Sequence, residues 1–164
     1  MVRGPLSSLT GDGNWFEDFE PGRKIRHARG ATIGEVENNY LSKQVMNTAH
    51  AHWNEHFLQV SPLGSGGVVF GLITASVTIG LTSQDTAENA LAEVGLDKLR
   101  FLAPVHQGDT LYAYTEVLEV RPAPDRSDAG LVTFRHWGVT QDDRVVFEGE
   151  RTVLVKRRDH WEHR

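Results

Sequence analysis

The sequence predicts an α+β fold in which a curved antiparallel β-sheet wraps around one long central hydrophobic helix, and three observations carry that prediction. The largely apolar run Val68 to Leu81 has the length of a buried helix. Beyond Asp85, four segments read as consecutive strands, LDKLRFLAPV, DTLYAYTEVLEV, LVTFRHWGVT and RVVFEGERTVLVKRR, separated by the turn-forming stretches QGD, RPAPDRSDAG and QDD. Spacing of this hairpin kind implies antiparallel pairing. The length, 164 residues, suits a single domain, large enough for a self-standing core that buries roughly 68–70% of the extended surface.

In chain order, MVRGPLSSLTGDG lacks the roughly 7–15-residue apolar stretch of a secretory signal. Its Gly, Ser and Pro content predicts a flexible tail over 1–13, followed by one domain over 14–164. Arg23 to Thr32 has short-strand character, and GEVENNYLSKQV places Val36, Tyr40 and Lys43 at helical spacing. Residues 47–65, rich in His, Asn, Pro, Gly and Ser, read as an irregular segment that empties into the apolar helix. That helix is shorter than the roughly 20 residues a membrane span needs and is interrupted by Gly71, Thr74, Ser76 and Thr78. Along Leu111–Val120 neither set of alternate residues is fully polar, which predicts a sheet occupied on both faces. One helix covered by a curved antiparallel sheet is the arrangement called a hot-dog. A second copy against the other face would make the chain a homodimer or a higher homo-oligomer.

Charge and cysteine content exclude several classes. Lys plus Arg is 17 against 22 for Asp plus Glu, a net charge of −5, which argues against a nucleic-acid or anionic-membrane partner. There is no cysteine, so disulfides, thiolate nucleophiles and Cys-ligated metal sites are ruled out. A reducing, cytoplasmic setting fits.

The segment that points to chemistry is MNTAHAHWNEHF, with His50, His52 and His56, followed some ten residues on by GSGG. HWNEH matches H-x-x-E-H, in which two histidines four apart on one helix face bind zinc. No further ligand stands nearby, so no metal is expected. Taken singly, each histidine also reads as an ordinary loop or helix-start residue.

Context adds a resemblance. In NTAHAH, His52 and Asn47 stand five apart, where the MaoC-like hydratase/dehydratase family carries the His and Asp of G-D-x-N-P-x-H; Ala49 and His50 take the Asn and Pro places. Phe70, Gly71, Leu72 and Ile73 resemble that family's H-G-M-L opening of the central helix, and FLAPVHQGDTL, residues 101–111, meets F-x-x-P-V-x-x-G-D-x-L in full. NWFEDFEPGRKIRHA also resembles the start of the branch with mesaconyl-CoA and itaconyl-CoA hydratase-like members. The resemblance spans roughly residues 14–157. It implies the hot-dog fold and reversible addition of water to an α,β-unsaturated acyl-CoA thioester, giving a 3-hydroxyacyl-CoA, with no cofactor because coenzyme A belongs to the substrate.

Such chemistry needs a proton-transfer group near the β-carbon and donors at the thioester oxygen, where enolate charge develops. The resemblance assigns the first role to His52. It gives the second to the Gly71 N–H at the start of the central helix, where the dipole helps and the missing side chain allows close approach. Asn47 departs from the family Asp, since an amide cannot accept and return a proton. His52 then acts alone or with help from His50, Asn54 or Glu55, or the chain binds acyl thioesters without turning them over. Thioester hydrolysis is a further alternative on the same fold. The position of the family's helix serine falls on Ile79, which cannot hydrogen bond. Lys98 and Arg100 are candidates to meet coenzyme A phosphates, although charged residues at a strand start are more often simply solvated.

Overall fold

The computed structural model describes residues 14–62 and 67–162, so the expected tail over 1–13 and most of GSGG lie outside the described residues. The strands are β1 (Lys24–Thr32), β2 (Ala90–Phe101), β3 (Thr110–Pro122), β4 (Ala129–Thr140) and β5 (Val145–Lys156), with helices α1 (Glu35–Gln44), α2 (Glu55–Val60), α3 (Gly71–Thr86) and a last short α4 (Arg158–Trp161). All strand pairs are antiparallel, in the order β1-β3-β4-β5-β2. The architecture is the α+β hot-dog expected from the sequence. Three of the four late strands form the expected hairpin run. The first, β2, pairs with β5 at the far edge, so residues 102–109 carry the chain across the sheet.

Helix α3 starts three residues into the apolar run and ends five beyond it. The face it turns toward the sheet is built on threonines: Thr74, Thr78, Thr82 and Thr86, four apart, are all buried. Three of these hydroxyls satisfy themselves on their own helix, Thr78 donating to Thr74 O at 2.8 Å, Thr82 to Ile79 O at 2.8 Å and Thr86 to Thr82 O at 2.8 Å. Small side chains let the helix sit close to β4, where a Cβ on Gly138 would collide with the Thr78 hydroxyl.

Two apolar clusters fill the interior, one around Ile73, Leu111 and Phe147, the other around Phe16, Phe19 and Phe134. Buried polar groups link strands and helix between them. The Asp85 carboxylate accepts from His27 Nδ1 at 2.6 Å, His27 Nε2 meets Thr115 Oγ1 at 2.7 Å, and Thr115 Oγ1 meets His136 Nδ1 at 2.8 Å. Burial, with Arg151 and His27 adding repulsion, pushes the His136 pKa well below its ordinary value of 6.5. The folded chain therefore resists a proton that the unfolded chain accepts below about pH 6.5. Stability should be full above that pH and fall beneath it, by up to about 1.4 kcal/mol per pH unit until the folded group titrates. Denaturant melts of wild type and His136→Gln between pH 7.5 and 5 (about one unit either side of the histidine value) check this, the variant showing the flatter dependence.

The expected short helix is present as α1, and its inner face is polar: Val36 and Tyr40 are 80% and 60% exposed, while Asn38 and Ser42 are fully buried. Two expectations are corrected. Strand β2 begins at Ala90 and stops at Phe101, so Leu102–Val105 leave the sheet. The outer face of the sheet is also not a second apolar surface, because Arg135 lies 3.9 Å from Glu148 and 4.0 Å from Glu150, and Lys98 pairs with Glu150 at 3.0 Å. Exposed apolar side chains run instead along edge strand β2, at Val94, Leu96, Leu99 and Phe101. No helix among the described residues is long and apolar enough to cross a membrane.

Helix α1 closes with a Schellman turn, in which Asn47 N–H donates to Ser42 O at 2.9 Å and Met46 N–H to Lys43 O at 3.0 Å. Met46 occupies the left-handed position that such turns reserve for glycine, with φ 56°, and its side chain is 84% exposed. Met46→Gly removes backbone strain without losing packing. It should raise unfolding free energy by about 0.5–1 kcal/mol, measured by denaturant titration.

Candidate active site

The Schellman turn delivers the chain to a 3₁₀ turn over His50–His52 and then to α2, capped by Asn54 Oδ1, which accepts from Phe57 N–H at 3.0 Å. The bend at Trp53 and Asn54 separates His52 from His56, so the two do not share a helix face as H-x-x-E-H would require. Among the described residues no three His, Asp or Glu side chains gather closely enough to hold a metal ion.

His52 is held by backbone and ring together. Its N–H donates to Ala49 O at 3.2 Å, and its ring lies 5.4 Å from that of Phe70. Nδ1 stands 2.8 Å from the Val68 carbonyl. A carbonyl oxygen only accepts, so Nδ1 carries a proton, and the basic nitrogen of the neutral ring is Nε2.

This ring opens on a cavity of about 360 Å³ whose wall also includes Gly71, Thr74, Phe101 and Val146. The two residues that the sequence assigned to proton transfer and oxyanion binding thus share one space. Gly71 is the first residue of α3, where N–H groups lack acceptors within the helix. A Cβ there would stand 3.1 Å from the Phe101 ring, tighter than ordinary contact, so glycine leaves room for that ring on the cavity wall. Ile79 packs in the core, and Thr74 is the hydroxyl-bearing helix residue at the cavity.

The other candidates lie elsewhere. Asn47 is outside the cavity wall; its Oδ1 accepts from Ala49 N–H at 3.0 Å and its backbone oxygen from Trp53 Nε1 at 3.0 Å. His50 stacks on Trp53 at 5.6 Å, and its Nδ1 accepts from Asn54 Nδ2 at 2.8 Å. Glu55 lines a different cavity, of about 250 Å³, with Glu35, Asn39 and Trp53.

The F-x-x-P-V-x-x-G-D-x-L stretch proves to be a brace for the site. Val105 O accepts from Val69 N–H at 2.8 Å, Gln107 N–H donates to Gly67 O at 3.1 Å, and Asp109 Oδ2 accepts from His106 N–H at 2.9 Å. Gly108 makes the turn with φ 95°. Burial alone would raise the Asp109 pKa, but the Gln141 amide, the His106 N–H and Arg144 outweigh it and hold the carboxyl below its usual range.

Sequence reasoning missed Asn38. Its side chain, with no exposed surface, donates from Nδ2 to His52 O at 2.8 Å and to Val68 O at 3.3 Å, and accepts at Oδ1 from Phe70 N–H at 3.1 Å. The one available sign was the pair of small polar residues Asn38 and Ser42, four apart on a helix whose apolar residues do not face the core.

A solved structure of a putative MaoC domain protein dehydratase from Chloroflexus aurantiacus matches with a TM-score of 0.83 and 29% identity, covering 91% of this chain and 46% of that one. Fold and site together define a hot-dog domain of the MaoC-like class. A mesaconyl-CoA hydratase of Haloarcula marismortui is 32% identical over 163 residues, covering 93% of this chain and 45% of the relative. A β-methylmalyl-CoA dehydratase of Chloroflexus aurantiacus is 33% identical over 159 residues, covering 94% and 43%. The family model described as mesaconyl-CoA hydratase matches residues 3–157, and the chain belongs to that family. It spans less than half the length of these curated relatives.

Proposed function

We propose that this chain is a hydratase/dehydratase that adds water reversibly to an enoyl-CoA thioester, giving the 3-hydroxyacyl-CoA. The observation that carries the reading is the shared cavity, a mostly apolar space lined by both the His52 ring, whose Nδ1 is engaged by Val68 O, and the first residue of α3. Water bonds through oxygen to C3 as His52 Nε2 takes its proton. The C2–C3 π electrons move toward the thioester oxygen, where the Gly71 N–H and the helix dipole hold the enolate charge. The imidazolium then returns the proton to C2, and the reverse sequence expels water. Asn47 serves by fixing the turn that presents His52, through its bond to Ala49 N–H. No cofactor is required beyond the coenzyme A of the substrate, and a cytoplasmic setting fits a chain without cysteine.

We also propose that two copies associate along β2. Support comes from the apolar row Val94, Leu96 and Phe101 on this edge strand and from relatives about twice as long as this chain. Sedimentation at micromolar concentration should give a dimer or larger species, and a monomer alone would contradict it. For the activity, crotonyl-, mesaconyl- and itaconyl-CoA are followed by enoyl-thioester absorbance together with free thiol. Loss of absorbance without thiol release supports hydration, whereas thiol release or no turnover on any of them refutes it.

A further inference from the structure

We infer that Asn38 is a positioning residue for the reaction, holding the His52 ring in its Nδ1–H tautomer and coupling it to the start of α3; this rests on the hydratase reading of the cavity. Asn38 is fully buried on α1, and its amide joins three separate pieces of the site. One Nδ2 proton goes to the backbone oxygen of His52 at 2.8 Å, fixing where the ring begins. The other points to Val68 O at 3.3 Å, the same carbonyl that receives the His52 Nδ1 proton at 2.8 Å. Oδ1 takes the N–H of Phe70 at 3.1 Å, the residue immediately before Gly71. Chemistry fixes which end of the amide is which, since carbonyls accept only from the NH₂ end and the Phe70 N–H needs the oxygen.

The arrangement explains why a polar residue occupies the inner face of α1 while Val36 and Tyr40 lie outside. It also makes the base and the oxyanion site one rigid unit. Each is tied to Asn38, which adds to the backbone bond from Val68 N–H to Ala51 O at 3.2 Å, so a buried side chain helps set their separation. Aspartate has nearly the same shape, yet would offer a lone pair where both carbonyls need a proton. Asn38→Asp therefore keeps the Phe70 bond and loses the other two, while Asn38→Ala loses all three.

The test combines kinetics with ¹⁵N NMR of the His52 ring. In folded Asn38→Ala and Asn38→Asp, kcat on the enoyl-CoA that wild type uses should fall about 10–10²-fold, with KM changed by less than about threefold. The ring shifts should move from a single Nδ1–H tautomer to a mixture of tautomers. A purely structural amide would lower the melting temperature and leave kcat and the tautomer of the folded variants at wild-type values, which would overturn the inference. So would a wild-type His52 that carries its proton on Nε2. If neither variant folds, hydrogen exchange of the Asn38 side-chain amide in wild type decides: slow exchange supports the three bonds and free-amide exchange refutes them. A wild type inactive on every enoyl-CoA, in which both variants still lose the His52 tautomer, supports the positioning and overturns only the hydratase reading.

Discussion

Replacing His52 by alanine should lower hydratase turnover about 10²–10⁴-fold while the chain stays folded, the usual scale for a positioned proton-transfer group. The ring is partly exposed at the cavity and its backbone bonds do not involve the side chain, so its loss leaves the turn and the Asn38 tether in place. What disappears is the only imidazole on the cavity wall among the described residues. His56→Ala is the matched control, since His56 sits exposed on α2, outside that wall, and its removal should leave turnover near the wild-type rate. Steady-state kinetics with circular dichroism on both variants provides the comparison. Near-normal turnover in folded His52→Ala would remove the residue from the mechanism.

The second large effect is expected at Gly71. The N–H of this first helical residue is useful only if a thioester oxygen can reach it. Even a methyl group here would stand 3.1 Å from the Phe101 ring, and valine adds two more carbons at the cavity wall. Gly71→Val should reduce kcat/KM about 10²-fold or more, comparable with removing an oxyanion donor. Its φ lies outside the left-handed region, so backbone strain is not part of the effect. Thermal unfolding checks that α3 survives, and Gly71→Ala should show a smaller loss because Phe101, half exposed, has room to yield.

The parts of this molecule legible in sequence are those where one residue type carries one physical requirement. The apolar run announced α3, the turn residues announced β3, β4 and β5, and the family resemblance singled out His52 and Gly71, which line one cavity. Partnership between distant groups was not legible. Val36 and Tyr40 have helical spacing, but periodicity alone does not say which stripe faces inward. The decision rests on Asn38 finding three partners at His52, Val68 and Phe70, up to 32 residues away in sequence. The inner face of α3 was hidden for a similar reason: threonine reads as an interruption of an apolar run until its hydroxyl is seen to bond back to its own helix. Val105 and Asp109 belong to a motif found by resemblance, and only the structure shows that it braces the cavity against residues 67–69.

The most direct test of the central claim, that His52 and the start of α3 add water across an enoyl thioester, is mass spectrometry of the product formed from an enoyl-CoA in ¹⁸O-labelled water. One heavy oxygen at C3 of an intact acyl-CoA, absent from the product of His52→Ala, is the predicted result. Heavy oxygen in a released free acid, or none incorporated by wild type with any enoyl-CoA offered, would contradict it.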